Sequence, residues 1–151
     1  AFPKVMFYWV GDGPYKETIL PTLEKYENFQ WLGKLEYPEK VRQFLSEIDI
    51  YALITGIDMS PLTLLEAQLM KKPVIATNVG GIPELMRNDA TGFLIEKGNY
   101  LDLIDKISTL LDNKTKQESM GEEGRKFVEQ NFSWEIITEK FLRIMNKYIE
   151  K

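Results

Sequence analysis

The sequence predicts an α/β fold, a doubly wound parallel sheet with helices on both faces. Short apolar runs recur along the 151 residues, each closes on a glycine or polar turn, and stretches with helical spacing lie between them. In such sheets crossovers are right-handed and ligands gather outside the carboxyl ends of the strands.

Val5-Met-Phe-Tyr-Trp-Val10 is almost continuously apolar and runs into Gly11-Asp-Gly-Pro14, which fits a buried parallel strand and a tight turn. Tyr15 to about Glu27 supplies a helix that Pro21 must kink or split. Phe29 to Leu32 reads as a second strand closed by Gly33, and Pro38 to Glu47 as a helix with Val41, Phe44, Leu45 and Ile48 on one face. Asp49 to Thr55 is a third strand. A helix opening at Pro61, a strand over Pro73 to Thr77, a turn of helix near Pro83 to Arg87 and a strand over Gly92 to Ile95 complete the core. Leu101 to Asp112 keeps helical spacing, and Lys114 to Gln130 is a polar helix whose middle Gly121 and Gly124 should weaken. Ser133 caps a last helix, where Trp134, Ile137, Phe141, Ile144, Met145 and Tyr148 form an apolar stripe that needs a surface to lie on. The turns at Gly11 to Pro14, Gly33, Asp58 to Thr63 and Asn78 to Gly81 all follow strands, so they are expected to crowd one rim of the sheet.

Composition narrows the chemistry. At 44% hydrophobic and 28% charged, the length suits one domain with a sizeable core. There is no cysteine and no histidine, which removes disulfides, zinc sites built on those residues and a histidine-based triad. Carboxylates, lysines, hydroxyls and backbone must do the work. A net charge of −4 argues against a nucleic-acid partner, because phosphate-backbone binding needs a basic face. No apolar run approaches the roughly 20 residues that cross a bilayer, and no signal peptide is visible; the expected location is the cytoplasm.

The helix start near Pro61 is the richest local feature. Ser60 suits an N-cap, Pro61 suits the first helical position, and Leu62 to Met70 favour helix. The amides of Leu62 and Thr63 would then lack intrahelical partners, at the positive end of the helix dipole, which suits a phosphate. Glu66 shares their face, roughly 6 to 9 Å along the axis. Asp58 precedes the cap, eight residues before Glu66. The same residues also fit a helix start without function, with Leu62, Leu65 and Leu69 as an ordinary core stripe and Glu66 solvated.

A set of motifs in order then carries a family resemblance: Val10-Gly-Asp-Gly-Pro14, Trp31-Leu-Gly33, Asp49-Ile-Tyr51, Leu64-Leu-Glu-Ala67, Lys72 through Glu84, Thr91-Gly-Phe-Leu94 and Asn131-Phe-Ser-Trp134. Over nearly its whole length the chain resembles the C-terminal, donor-binding half of the GT-B retaining glycosyltransferases of family 4 (group 1), whose Rossmann-like sheet binds a nucleotide diphosphate sugar. The resemblance implies transfer of a hexose to an acceptor hydroxyl with retention. It implies that Glu66 holds the ribose and that Asp58, in the place of a first glutamate, lies near the donor sugar as the catalytic orienting residue. Asp58 is one methylene shorter, about 1.5 Å less in reach. Gly11 and Gly13 match the turn against the diphosphate, Gly33 and Lys34 the loop at the base, Ser60, Leu62 and Thr63 the phosphate cradle, and Gly80 and Gly81 a turn lining the donor sugar. For the glycines plain turn geometry is the alternative, and for Lys34 solvation.

No metal or other cofactor is implied, only the nucleotide sugar as donor substrate. Members of this kind carry a strand and helix with an Arg and a Lys before the Val5 strand, and an acceptor-binding domain before those. Residues 1–151 are therefore expected to be the nucleotide-sugar-binding C-terminal domain without those parts, partnered by the N-terminal domain of the same chain and inactive alone. The parent enzyme could place it at the inner membrane surface. Other readings are a related GT-B epimerase or phosphorylase, which should lack the acidic pair, and a dehydrogenase, for which Gly11-Asp-Gly-Pro-Tyr-Lys16 lacks a third glycine. A non-catalytic nucleotide-sugar-binding or regulatory module of the same fold is the remaining one.

Overall fold

The computed structural model describes residues 2–149, whose contacts divide into two compact units, Ala1–Phe44 and Leu45–Lys151. The first holds β1 (Phe7–Val10), α1 (Lys16–Leu23) and β2 (Phe29–Gly33), and α2 (Glu39–Glu47) crosses the division. The second holds β3 (Tyr51–Leu53), α3 (Leu62–Leu69), β4 (Val74–Thr77), a short 3-10 turn (Ile82–Glu84), β5 (Gly92–Ile95), α4 (Tyr100–Leu111), α5 (Lys114–Phe132) and α6 (Trp134–Ile149). Strands β1 and β2 pair in parallel, and β3-β4-β5 form a parallel sheet in that order. The α/β class with parallel strands is the one the sequence predicts.

In the first unit, β1 is shorter than its apolar run. Phe2 to Val5 fold into a turn, and the Asn28 side-chain amide donates to the carbonyls of Phe2 and Val5 at 2.9 and 2.8 Å, which holds Val5 out of the strand. Helix α1 runs through Pro21 unsplit and ends at Leu23 rather than Glu27. Its one buried side chain is Leu20, while Tyr8 and Phe44 meet edge to face at 6.0 Å.

In the second unit β4 is buried at every position, as a central parallel strand flanked on both edges must be. Ile75, Phe93, Ile95, Leu110 and Met120 form a core cluster, with Ile50, Leu103 and Ile107 packed against it. A fully buried side chain of this size stabilises by about 1.5–3 kcal/mol. Lys106 and Lys116 place their ammonium groups 5.3 and 5.0 Å from the Phe93 ring centre. Asn99, Asn113 and Ser133 each accept an amide hydrogen from the first turn of the helix they precede. The apolar stripe of α6 stays largely uncovered among the described residues: no described residue of the helix is buried, and Trp134 is 81% exposed.

Gly121 and Gly124 do not interrupt α5. The helix is continuous, and both glycines are buried where it passes the end of α3. A Cβ on Gly121 would overlap the Lys71 carbonyl oxygen, whereas one on Gly124 would stand 3.3 Å from the Gln68 Cγ. Glycine here serves close approach. Alanine is favoured over glycine within a helix by about 1 kcal/mol, and overpacking against fixed backbone costs about 1–3 kcal/mol. Gly121→Ala is therefore expected to destabilise the chain, and Gly124→Ala, which meets a movable side chain, to be near neutral. Urea unfolding of both variants checks the sign, and a stabilised Gly121→Ala would contradict the contact.

Candidate functional site

The segment between β3 and α3 is shaped by its neighbours on β4 and in the turn that follows. Strand β3 stops pairing after Leu53. Beyond it, the buried Thr77 hydroxyl accepts from the Thr55 amide at 2.9 Å and donates to the Thr55 carbonyl at 2.8 Å, so a side chain takes over from the ladder. The Thr55 hydroxyl then donates to the Ile57 carbonyl at 2.9 Å, and Lys97 donates to the Gly56 carbonyl at 3.2 Å. This turns the chain toward Asp58.

Gly80 and Gly81 lie directly against that loop. A Cβ on Gly80 would overlap the Asp58 carbonyl oxygen, one on Gly81 would overlap that of Met59, and the Gly81 amide donates to the Asp58 carbonyl at 3.1 Å. Gly80 also has a φ of +55°, in the left-handed region that favours glycine. Their demonstrable task is to seat the Asp58 backbone.

The start of α3 differs from expectation by one residue. Ser60 is not the N-cap: Pro61 takes that position with φ −70° and ψ 105°, no side chain caps it, and the helix opens at Leu62. The proline ring fixes φ but leaves ψ free to be extended. Asp58 explains why Ser60 is displaced, since its carboxylate accepts the Ser60 amide at 3.2 Å in a local turn. Pro61 is buried, and its carbonyl accepts from the Leu64 amide at 3.1 Å. Neither the Leu62 nor the Thr63 amide has a hydrogen-bond partner among the described residues.

The predicted core stripe also fails. Helix α3 buries Leu64, Ala67 and Gln68, whereas Leu62 is 67% exposed and Leu69 lies at the surface. Glu66 shares the outer face with Leu62, and its carboxylate has no hydrogen-bond partner among the described residues. Ile57 and Met59 stand out beside Asp58 at 76% and 73% exposure, an apolar rim around a half-buried carboxylate.

Tyr51, which the sequence marked only as the end of the Asp49-Ile-Tyr51 motif and gave no role, links these parts. Its hydroxyl donates to the Thr63 hydroxyl oxygen at 2.8 Å. Burial pushes its pKa up, the Thr63 bond pulls it down, and the negative fields of Glu66 and Asp58 add to the rise. One phenol thus senses both acidic residues and touches the first turn of α3. The signal available beforehand was its place at the start of β3, on a strand aimed at the loop; Thr77, at the end of an apolar run, was equally silent.

Within the first unit, Gly11 and Gly33 have φ of +122° and +66°, and nothing lies within 4 Å of the place where a Gly11 Cβ would be. The Gly11 amide donates to the Gly33 carbonyl at 2.8 Å, and the Trp31 indole donates to the Gly11 carbonyl at 2.9 Å, so the two predicted turns are joined. Gly13 is open as well, but its amide is taken by the Asp12 carboxylate at 2.8 Å. Lys34 is exposed, and Lys16 rather than Lys34 stacks on Trp31, 4.9 Å from the ring centre. Surface hollows beside Asn113 and Lys116 and along α6 contain none of the predicted site residues. Among the described residues no cluster of three or more metal-ligating side chains occurs.

Comparison with known proteins places the chain in a family. The family model described as glycosyl transferases group 1 matches residues 1–127. The chain is 35% identical over 154 residues to a GDP-mannose-dependent monoacylated alpha-(1-6)-phosphatidylinositol monomannoside mannosyltransferase of Corynebacterium glutamicum, covering 96% of this chain and 40% of that protein. It is 33% identical over 135 residues to the N-acetyl-alpha-D-glucosaminyl L-malate synthase of Bacillus anthracis, covering 87% of this chain and 35% of that one. The solved structure of Anabaena Alr3699/HepE in complex with UDP-glucose matches with a TM-score of 0.84 at 23% identity, over 96% of this chain and 42% of that chain. That likeness identifies the fold as the Rossmann-like C-terminal half of GT-B proteins. The chain spans 35 to 42% of the length of these proteins.

The Tyr51 environment yields a direct prediction. A tyrosine whose pKa is raised by folding above its ordinary 10.0 stabilises fully below that value, and the contribution is lost as pH rises through the folded pKa. Tyr51→Phe should therefore flatten the alkaline fall in stability. By NMR of Cζ-labelled tyrosine, Tyr51 should titrate lower in Glu66→Gln and higher in Thr63→Val; an unmoved titration in both would show that the three groups do not share a site.

Proposed function

Because the chain belongs to the glycosyl transferases of group 1, we propose that it is the donor-binding domain of a longer hexosyltransferase that works with retention. The observation that carries the reading is the open amino end of α3, with two amides free among the described residues and Asp58 and Glu66 both acting on the Tyr51 hydroxyl beside it. An anion with sugars on either side matches that arrangement. In this reading the Leu62 and Thr63 amides receive the diphosphate, with Ser60 on the adjoining loop. Glu66 holds the ribose, and Asp58 orients the hexose. Gly11 and Gly13 belong to a diphosphate turn, and Gly33 and Lys34 to the base loop.

The chemistry asked of this half is binding and charge stabilisation. The bond from the anomeric carbon to the diphosphate oxygen breaks, and a bond from the same carbon to the acceptor oxygen forms. Negative charge collects on the departing diphosphate, where aligned backbone donors are most effective. The acceptor and any base come from the rest of the protein, consistent with the fraction of its relatives that this chain spans. The named relatives support a hexose-bearing nucleotide, since one depends on GDP-mannose and another was solved with UDP-glucose. Gly80 and Gly81 line the donor sugar in this account and also seat the Asp58 loop.

Two experiments test the reading. In the full-length protein, screened against nucleotide sugars by product mass, Glu66→Ala is expected to weaken donor use roughly 10- to 100-fold, the scale of losing a hydrogen bond to a charged group. Asp58→Ala should lower turnover more than donor affinity. Unchanged kinetics in both variants would favour a binding or regulatory module. The 151-residue chain alone is expected to bind donors weakly in calorimetric titration and to transfer no sugar, and robust turnover by it would refute the division of labour.

A further inference from the structure

We infer that Tyr51 is a positioning residue that fixes the Thr63 hydroxyl as a third donor, beside the Leu62 and Thr63 amides, to the phosphates of a nucleoside diphosphate. The inference rests on the donor-site reading above and deepens it. Its basis is the 2.8 Å bond from the Tyr51 hydroxyl to the Thr63 hydroxyl oxygen.

A phenol is the more acidic of the two hydroxyls, so it donates and the threonine oxygen accepts. That occupies one lone pair of Thr63 and leaves its proton to point elsewhere. Among the described residues the proton has no acceptor. Thr63 stands in the first turn of α3, exposed, and its own amide and that of Leu62 are likewise without partners there. Three hydrogens with no acceptor thus sit at one helix end, which selects a ligand that only accepts. A phosphate does so; an ammonium or an amide donor does not.

The surroundings of Tyr51 keep the bond in this sense. Burial and the Glu66 and Asp58 carboxylates hold the phenol protonated. A tyrosinate would instead draw the Thr63 proton to itself and withdraw it from the ligand. A second role as a plain tie between β3 and α3 predicts something different: loss of the tie would weaken every ligand of the site in step with stability.

The test uses the full-length protein and measures binding of UDP, GDP, uridine and guanosine, with melting temperatures in parallel. Tyr51→Phe is expected to weaken the better-bound diphosphate about five-fold, the scale of one neutral hydrogen bond, while leaving its nucleoside unchanged. In a Thr63→Val background the same substitution should change nothing further, because its effect passes through the Thr63 hydroxyl. Diphosphate binding equal to that of the parent protein would overturn the inference, as would equal losses for nucleoside and diphosphate, or additive losses in the double variant. Glu66→Ala serves as the control for the site itself. If it weakens nucleoside binding while Tyr51→Phe is silent, only the inference falls; if it too is silent, the donor-site reading falls first.

Discussion

The candidate site depends on one backbone contact, the Gly80–Gly81 turn pressed against Asp58 and Met59. Side chains at either glycine would occupy the space of a carbonyl oxygen. The Gly81 amide bond to the Asp58 carbonyl then fixes the distance. Through it the end of β4 dictates where the loop after β3 lies, and thus where Asp58 stands relative to α3. Thr77 reinforces the same junction from inside, since its hydroxyl is bonded to both the amide and the carbonyl of Thr55.

Helix α3 is held to that frame by a second set of polar contacts. Gln68 is fully buried, and its side-chain amide donates to the Leu64 carbonyl at 3.2 Å and to the Leu85 carbonyl at 2.8 Å. The second bond ties the helix to the turn that follows Gly81, so the loop bearing Asp58 and the helix bearing Glu66 share an anchor. Its carbonyl oxygen, buried without a partner among the described residues, costs about 1–3 kcal/mol by the usual penalty for such a group. The expense is tolerable where position matters more than stability. Close passage of α5 at Gly121 and Gly124 covers the same end of α3.

How much of this the sequence disclosed follows from the range of the interactions involved. Strand β5 and the three C-terminal helices were readable because periodicity and the Ser133 cap are local, and the matched motifs led to the family through their order along the chain. The extended ψ of Pro61 was not readable, because the competing turn depends on Asp58 taking the Ser60 amide. Nor was the true buried face of α3. Leu62, Leu65 and Leu69 are more apolar than Gln68, yet Gln68 is inside because two carbonyls wait there for its amide. The roles of Tyr51, Gly80 and Gly121 all reside in contacts between segments far apart in sequence, where spacing carries no information.

Asp58 shows why a shorter acid can hold this place. A carboxylate two bonds from the backbone can fold back onto an amide two residues ahead, and this one does so with Ser60. Glutamate, with one more methylene, makes that turn poorly. The aspartate therefore gives up about 1.5 Å of reach and gains a loop shaped by its own side chain. Only one of its oxygens is used in this bond, and the other has no hydrogen-bond partner among the described residues. In the proposed donor-binding reading, the missing reach is made up by the sugar coming closer to the loop. Ile57 and Met59, apolar and exposed on both sides of the half-buried Asp58, would lose water to a ligand seated there, and a carboxylate acts more strongly once water is excluded from it.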